Sequence, residues 1–402
     1  MVSGLGLTPG DGLCPRRLRM STLLDAVRAI APRIRAAADR IEHDRRVPLE
    51  LVRALTEAGV FQMCVPRTCG GSEVEPAIMI AVLEAIAEAD GSAGWSAMIG
   101  TTSGVAAAYL PADAAREIYG RADVVTGGVF APQGRAVVVD GGYRVTGRWP
   151  FASGCEHCAW LMGGSVVVQN GAARLLQSGM PDSRLMLFPA TDARILDTWT
   201  VAGLRGTGSH DIAVDDLFVP AARSLSLITD RPRERGPLYA FPVFGLLALG
   251  IAAVALGIAR RAIDELRSLA SGKTPTGSRR PLAERPVVQA QVAEAEAGLG
   301  SARAFTFDTV EAAWQAARAE GTLDVRRRAL LRLAATHATL AAARAVDLMY
   351  HAGGGTSVYA TSPLQRQFRD IHVATQHVMV APPTLEVVGR ILLGLDADTS
   401  ML

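Results

Sequence analysis

The sequence predicts an α+β protein in three parts: an N-terminal helical domain over 21–119, a middle β domain over 120–222 built as a small antiparallel barrel or sandwich, and a C-terminal four-helix bundle over 235–402. Three observations predict it. The hydrophobic period drops from about 3.6 residues to 2 near Asp123 and returns to the helical value after Pro220. Between those points Gly, Asp and Pro break the chain into short β-rich runs, and AVVVDGGYRVTG places two of them around Asp140-Gly141-Gly142, a strong hairpin signal. With 49% hydrophobic and 20% charged residues, a 402-residue chain can bury a large core, which excludes disordered, collagen-like and disulfide-scaffold classes.

Taken in order, residues 1–20 read as a flexible tail. MVSGLGLTPGDGLCPRRLRM has neither an apolar h-region nor a small-residue cleavage site, so a cytoplasmic location is expected. Leu23, Leu24, Val27, Ile30 and Ile34 recur at helical spacing, and Thr22 with Asp25 would open that helix as a capping box. PLELVRALTEAGVF predicts a second helix from near Pro48 to Gly59. CVPRTCGGSEV reads as a loop, with further helices over 77–88 and 94–107. The β runs follow, ending in DIAVDDLFVP. Four helices are then expected over 238–271, 286–319, 324–352 and 361–394, with the polar connection KTPTGSRRP after the first. This bundle is the expected source of oligomer contacts.

Charge and cysteine content exclude several classes. Lys plus Arg is 41 and Asp plus Glu is 39, so no basic excess points to nucleic acid. Phe241 to Ala259 carries no charge over nineteen residues, long enough to span a membrane. Pro242 near its start, recurrent Gly and Ala and the lack of a second such run favour a helix at the centre of a bundle, so no membrane partner is expected. Five cysteines in so long a chain make no disulfide framework. Cys155-Glu156-His157-Cys158 looks like half a zinc site, but no second CxxC completes it and no metal is expected. Gly353-Gly354-Gly355 lacks the surrounding GxGxxG or Walker lysine of a phosphate loop.

Four segments carry a family resemblance: AGVFQMCVPRTCGGSE (58–73), GYRVTGRWPFASG (142–154), GLRGTGSHDIAVDDLFVP (203–220) and FRD (368–370). With the helix–β–helix order, these are similar to the acyl-CoA dehydrogenase superfamily over about Leu23 to Leu393. The resemblance implies a flavin between β domain and bundle, a neighbouring subunit completing the site, and a homotetramer. A dehydrogenase of this family takes the α-proton of an acyl thioester with a carboxylate eight residues after an Arg-Asp pair. Here the pair is Arg369-Asp370, the eighth residue is Val378, and 371–384 holds no carboxylate. The other position used in the family, on the first bundle helix, is also empty, because Tyr239 to Ala262 contains no Asp or Glu. An acyl-CoA dehydrogenase or oxidase acting with FAD is therefore the alternative reading, and a non-catalytic flavin-binding assembly partner a third.

The chain more closely resembles the oxygenase components of two-component flavin monooxygenases, through Trp149-Pro150-Phe151-Ala152-Ser153-Gly154 and a histidine after the Arg-Asp pair. That resemblance implies reduced FMN or FAD delivered by an NAD(P)H:flavin reductase, and O2 as co-substrate. It also implies a C4a-hydroperoxide kept dry and a small aromatic or polycyclic substrate that receives one oxygen. It gives Ser153 a hydroxyl role near flavin N5 and His377 a substrate-polarising role, with His372 as the fallback. Alternation puts Trp149 and Phe151 on one face, as a flavin-facing wall requires. Phe130 and Ala152 are further expected cofactor contacts. Arg280, flanked by Arg279 and Arg285, and Gly354 in the glycine turn are expected at the flavin phosphate. Trp95, Thr102, Ser103 and His372 are expected to line the substrate pocket. Several phenol-hydroxylating relatives carry a histidine after that tryptophan. Here SAMIGTTSG follows Gly94-Trp95, which argues against a simple phenol and leaves steroid-like, polyketide, sulfur or amine substrates open.

Overall fold

A computed structural model describes residues 15–402, so residues 1–14 of the expected tail lie outside the described residues. Residues 15–20 correct that expectation, because they already form the start of α1 (Pro15–Ala36). Proline is favoured at a first helical position, and no breaker separates Pro15 from Thr22. Thr22 therefore lies inside the helix and opens no capping box.

Helices α2 (Ala38–Asp44), α3 (Leu49–Glu57), α4 (Pro76–Ala89), α5 (Gly91–Ser103) and α6 (Ala112–Tyr119) complete the N-terminal layer. Helix α3 starts after Pro48, and Gly59 follows its end with φ of 84°, where glycine carries no steric cost. Only Asp90 separates α4 from α5. Its extended backbone turns the chain, and its carboxylate caps α5 by accepting from the Ala93 N–H at 2.8 Å.

The β layer comprises β1 (Thr126–Val139), β2 (Gly142–Trp149), β3 (Trp160–Gln169), β4 (Ala172–Ala173), β5 (Ser183–Pro189), β6 (Arg194–Leu196), β7 (Asp211–Pro220) and β8 (Ser224–Leu225). The Asp140-Gly141 hairpin joins β1 to β2, with Val139 paired to Gly142 and Gly141 at φ of 75°. The strand order is β6-β7-β2-β1-β3-β5-β8, with β4 attached to β3. The sheet departs from the expected antiparallel barrel or sandwich: β1 and β3 run parallel. The register of β1 with β3 jumps between Val129 and Gly134. The sheet nonetheless curls strongly. Trp149 on β2 stands 6.1 Å, ring to ring, from Phe188 on β5, three strands away in sheet order, where a flat sheet would leave about 14 Å.

The C-terminal layer is α7 (Pro237–Ala240), α8 (Val243–Gly272), α9 (Pro286–Glu320), α10 (Val325–Gly353), α11 (Pro363–Ala374) and α12 (Pro383–Leu392). Helix α8 alone among the described helices is long and apolar enough to cross a membrane, and 83% of its most apolar stretch is buried inside the protein. It packs on α4, α5, α10 and α11, and Gly257 brings its backbone against Glu84 and Ala87 of α4. The last expected helix is two helices. Pro382 and Pro383 cannot continue the hydrogen-bond ladder, so the chain breaks over 375–382, and His377 sits in that break.

Candidate active site

The turn after β2 is built against the loop 203–210. Phe151 holds φ of 67°, an uncommon conformation for a bulky residue, and leaves its ring 68% exposed. Three backbone bonds keep the turn in place: Ala152 N–H to His210 O (3.0 Å), Ser153 N–H to Phe151 O (2.9 Å) and Gly154 N–H to Thr207 O (2.8 Å). The loop is in turn docked on α11. Gly203 lies directly on the Arg369 backbone, where no Cβ would fit. The Asp370 carboxylate accepts from the Leu204 N–H at 2.6 Å, and Arg369 donates to Ala202 O and Glu42.

These constraints bury Ser153, which is 5% exposed. Its Oγ accepts from Trp95 Nε1 at 3.1 Å and lies 2.7 Å from Ser209 Oγ. Ser209 Oγ lies 2.7 Å from Thr207 Oγ1, which donates to Leu204 O at 2.8 Å. Trp95 also faces His377, with ring centroids 5.8 Å apart and planes tilted by 59°. One indole thus links the β-domain serine to the histidine of the C-terminal break.

His377 Nδ1 accepts from the Met379 N–H at 3.2 Å. In a neutral ring that leaves the proton on Nε2, so His377 presents a donor. Burial, reinforced by the Arg332 charge, holds its pKa down at about 4, so the ring is neutral at pH 7. Arg332, on α10, supports the same turn. Arg332 is 4% exposed, and its guanidinium donates to Met379 O at 2.9 Å, to Thr384 Oγ1 at 3.3 Å and to Met401 O.

The structure brings together Trp95, Ser153 and His377, and separates several other expected site residues from them. Trp149 is a correction. It is fully buried in the sheet, its Nε1 donates to Gly164 O at 2.6 Å, and its ring fills a slot left by Gly134, Gly147 and Gly163. β2 ends at Trp149 and the Phe151 backbone turns left-handed, so alternation stops and the two rings do not share a wall. Ala152 is likewise fully buried and offers no exposed surface. Phe130 is half-buried in the register break of β1, with its carbonyl packed against Gly164.

The pocket residues Thr102 and Ser103 are also corrected. Thr102 donates to Met98 O at 2.8 Å, while Ser103 bonds Gly100 O and Thr126 and so ties α5 to β1. Both hydroxyls are consumed within the core. His372 pairs with Asp347 at 2.8 Å and stands edge-on to Phe368, making none of the Trp95 contacts. Arg280 is exposed on the α8–α9 connection, and Gly354 (φ 57°) opens the turn after α10. Lys273 joins these two regions by donating to Gly353 O at 2.7 Å. Beside them lies a groove of about 320 Å³ lined by Leu269, Thr356, Tyr359 and Ser362. Cys155 and Cys158 are thiols raised in pKa by burial, Cys155 to about 12, which suits core residues.

Sequence reasoning missed Ser209, Thr207 and Arg332. The first two lie inside the quoted GLRGTGS segment, and two hydroxyls beside glycines were the available signal. Arg332 sits among helical arginines and alanines, and nothing local marks it as buried.

Asp370 and Asp90 are perturbed carboxylates beside this loop, and burial raises Asp90 to about 6. Burial, with the nearby Asp90 carboxylate adding repulsion, raises the pKa of Asp370 to about 7. Such a value would suit a general base, but this carboxylate is committed to the Leu204 N–H, so it positions the loop. The sign follows from linkage. The native state keeps a proton that the unfolded chain has already released, so this group lowers stability as pH rises from about 4 to 7, with little change above. Asp370→Asn keeps an acceptor for Leu204 and removes that cost. Urea melts should show the variant gaining on wild type across that window, by order of 1 kcal/mol per pH unit at most. A pH-independent difference would refute the assignment.

The family model described as "Acyl-CoA dehydrogenase, N-terminal domain" matches residues 20–117, and "Acyl-CoA dehydrogenase, C-terminal domain" matches residues 249–382. The chain is 37% identical over 390 residues to an indole-3-acetate monooxygenase of Pseudomonas putida, covering 96% of this chain and 98% of that protein. It is 32% identical to the oxygenase subunit HsaA of a flavin-dependent monooxygenase from Rhodococcus jostii, covering 88% and 93%. The solved structure of XiaF from a Streptomyces species, in complex with FADH2 and glycerol, superposes with a TM-score of 0.88 at 26% identity, covering 95% and 98%.

Proposed function

This chain belongs to the flavin-dependent monooxygenases built on the acyl-CoA dehydrogenase fold, and from that premise we propose that Ser153, Trp95 and His377 form the centre at which it oxygenates a small aromatic or polycyclic substrate. It is an oxygenase component, so a separate NAD(P)H:flavin reductase supplies its reduced FMN or FAD. When bound, reduced flavin supplies the electrons that activate O2.

The residues present fit such a group at both ends. The exposed Phe151 ring beside Ser153 offers an apolar surface for a flat ring system. The glycine turn at Gly354, in the left-handed region at φ 57° and with open space above its Cα, admits close approach of a phosphate. Arg279, Arg280 and Arg285 stand exposed on the connection between α8 and α9, which Lys273 ties to the end of α10 through Gly353 O. Ser153 hydrogen-bonds the ring edge, Trp95 holds Ser153 and walls off water, and the neutral His377 directs Nε2–H at a substrate oxygen or nitrogen.

The observation that carries this reading is the Trp95 indole joining Ser153 to His377 while no free carboxylate stands at either dehydrogenase base position. Val378 occupies one of them and is 69% exposed. The test supplies reduced FMN or FAD, 18O-labelled O2 and indole-3-acetate as probe, the compound named for the Pseudomonas relative. One labelled oxygen should enter the product. Oxidised flavin bound to the protein should not be bleached by a saturated acyl-CoA, and bleaching with enoyl product would restore the dehydrogenase reading.

A homotetramer is part of the proposal. Val358, Tyr359, Val378 and Leu393 are 65%, 66%, 69% and 76% exposed in the C-terminal helical layer, apolar side chains that neighbouring copies would cover. Light scattering of the full chain should give four copies. A concentration-independent monomer that binds flavin would refute it.

A further inference from the structure

The hydroxyls around Ser153 form a chain with two one-way ends. Trp95 Nε1–H can only donate, and the Leu204 carbonyl can only accept. The Thr207 proton is committed to Leu204 O at 2.8 Å, so at the 2.7 Å contact with Ser209 the donor is Ser209. The Ser209 proton is then spent, so at the next 2.7 Å contact the donor is Ser153. The direction runs Trp95 to Ser153 to Ser209 to Thr207 to Leu204. Leu204 O also accepts from Trp199 Nε1 at 3.1 Å, but the opposite direction would still leave Thr207 Oγ1 and Leu204 O 2.8 Å apart with no proton between them. Ser153 therefore has its proton turned inward and one lone pair left over.

A reduced flavin carries hydrogen on N5, whereas the oxidised ring has only a lone pair there. An acceptor matches the first and repels the second. We propose that Ser209 and Thr207 are positioning residues that hold Ser153 as an acceptor and so make the site select reduced over oxidised flavin. This rests on the flavin reading above. It gives an oxygenase fed by a separate reductase a way to exchange spent flavin for fresh without any conformational change.

Dissociation constants for oxidised and reduced FMN and FAD, titrated anaerobically, test it on the full chain, together with the potential of the bound flavin. In wild type the reduced form should bind more tightly, and the bound potential should lie above that of free flavin. Ser209→Ala and Thr207→Val free the Ser153 proton to turn outward, so the ratio of the oxidised to the reduced dissociation constant should fall by about tenfold, the factor one hydrogen bond makes. Thr207→Ser keeps the chain and should keep the wild-type ratio. An unchanged ratio in both disrupting variants, or equal loss of both affinities, overturns the proposal. If neither variant folds, a wild-type potential at or below the free value overturns it, and one above supports it. Wild type that binds neither form overturns the functional reading itself, a result distinct from flavin binding without discrimination.

Discussion

His377→Ala should lower oxygen transfer by roughly two to four orders of magnitude, the span usual for a lost acid–base or polarising group, while reduced flavin is still consumed by O2. The uncoupled reaction should appear as hydrogen peroxide in place of product. Because the ring is held neutral by burial and by Arg332, with Nδ1 bonded to Met379, its contribution is a donated Nε2–H rather than a captured proton. The rate should therefore show no histidine titration near pH 6.5. It should fall only towards the folded-state value of about 4, and the stability this ring supplies is lost earlier, as pH falls from 6.5 to about 4, because the unfolded chain takes up the proton first. Product-to-peroxide ratios from pH 4.5 to 8 measure this, and a clear inflection near 6.5 that vanishes in His377→Ala would show that the ring titrates freely.

Ser153→Ala should act at a different step. The substitution deletes a bond to the cofactor edge and leaves the buried Trp95 N–H without its acceptor, a loss of about 1–3 kcal/mol. Coupling of flavin oxidation to product should fall by roughly tenfold to a hundredfold, with substrate affinity little changed. Ser153→Thr, which keeps the hydroxyl, should restore most of the coupling. Equal coupling in wild type and Ser153→Ala would remove Ser153 from the site even though the fold stands.

The three-part order, the Asp140-Gly141 hairpin and the buried character of α8 were legible because each rests on local pattern: period, turn chemistry and a charge-free run interrupted by proline. The motifs singled out Ser153 and His377, which the structure brings against the same Trp95 ring, and simple spacing showed that the two base positions hold no carboxylate. Tertiary structure decided what pattern could not reach. Alternation placed Trp149 beside Phe151, but the strand ends between them, and three glycines on β1, β2 and β3 open a slot that swallows the indole. Thr102, Ser103 and His372 carry the right functional groups, yet partners far away in sequence or a turn earlier in the helix had already taken them. The reverse holds for Thr207, Ser209, Arg332 and Asp370. A hydroxyl or charge acquires a direction only when its donors and acceptors are in place, and those partners arrive from α5, α10, α11 and the 203–210 loop. The sequence by itself determined which chemical groups the chain owns and which fold holds them. The tertiary structure decided which groups remain free to act, because burial consumes most hydrogen-bonding capacity and leaves the remainder only where packing runs out of partners.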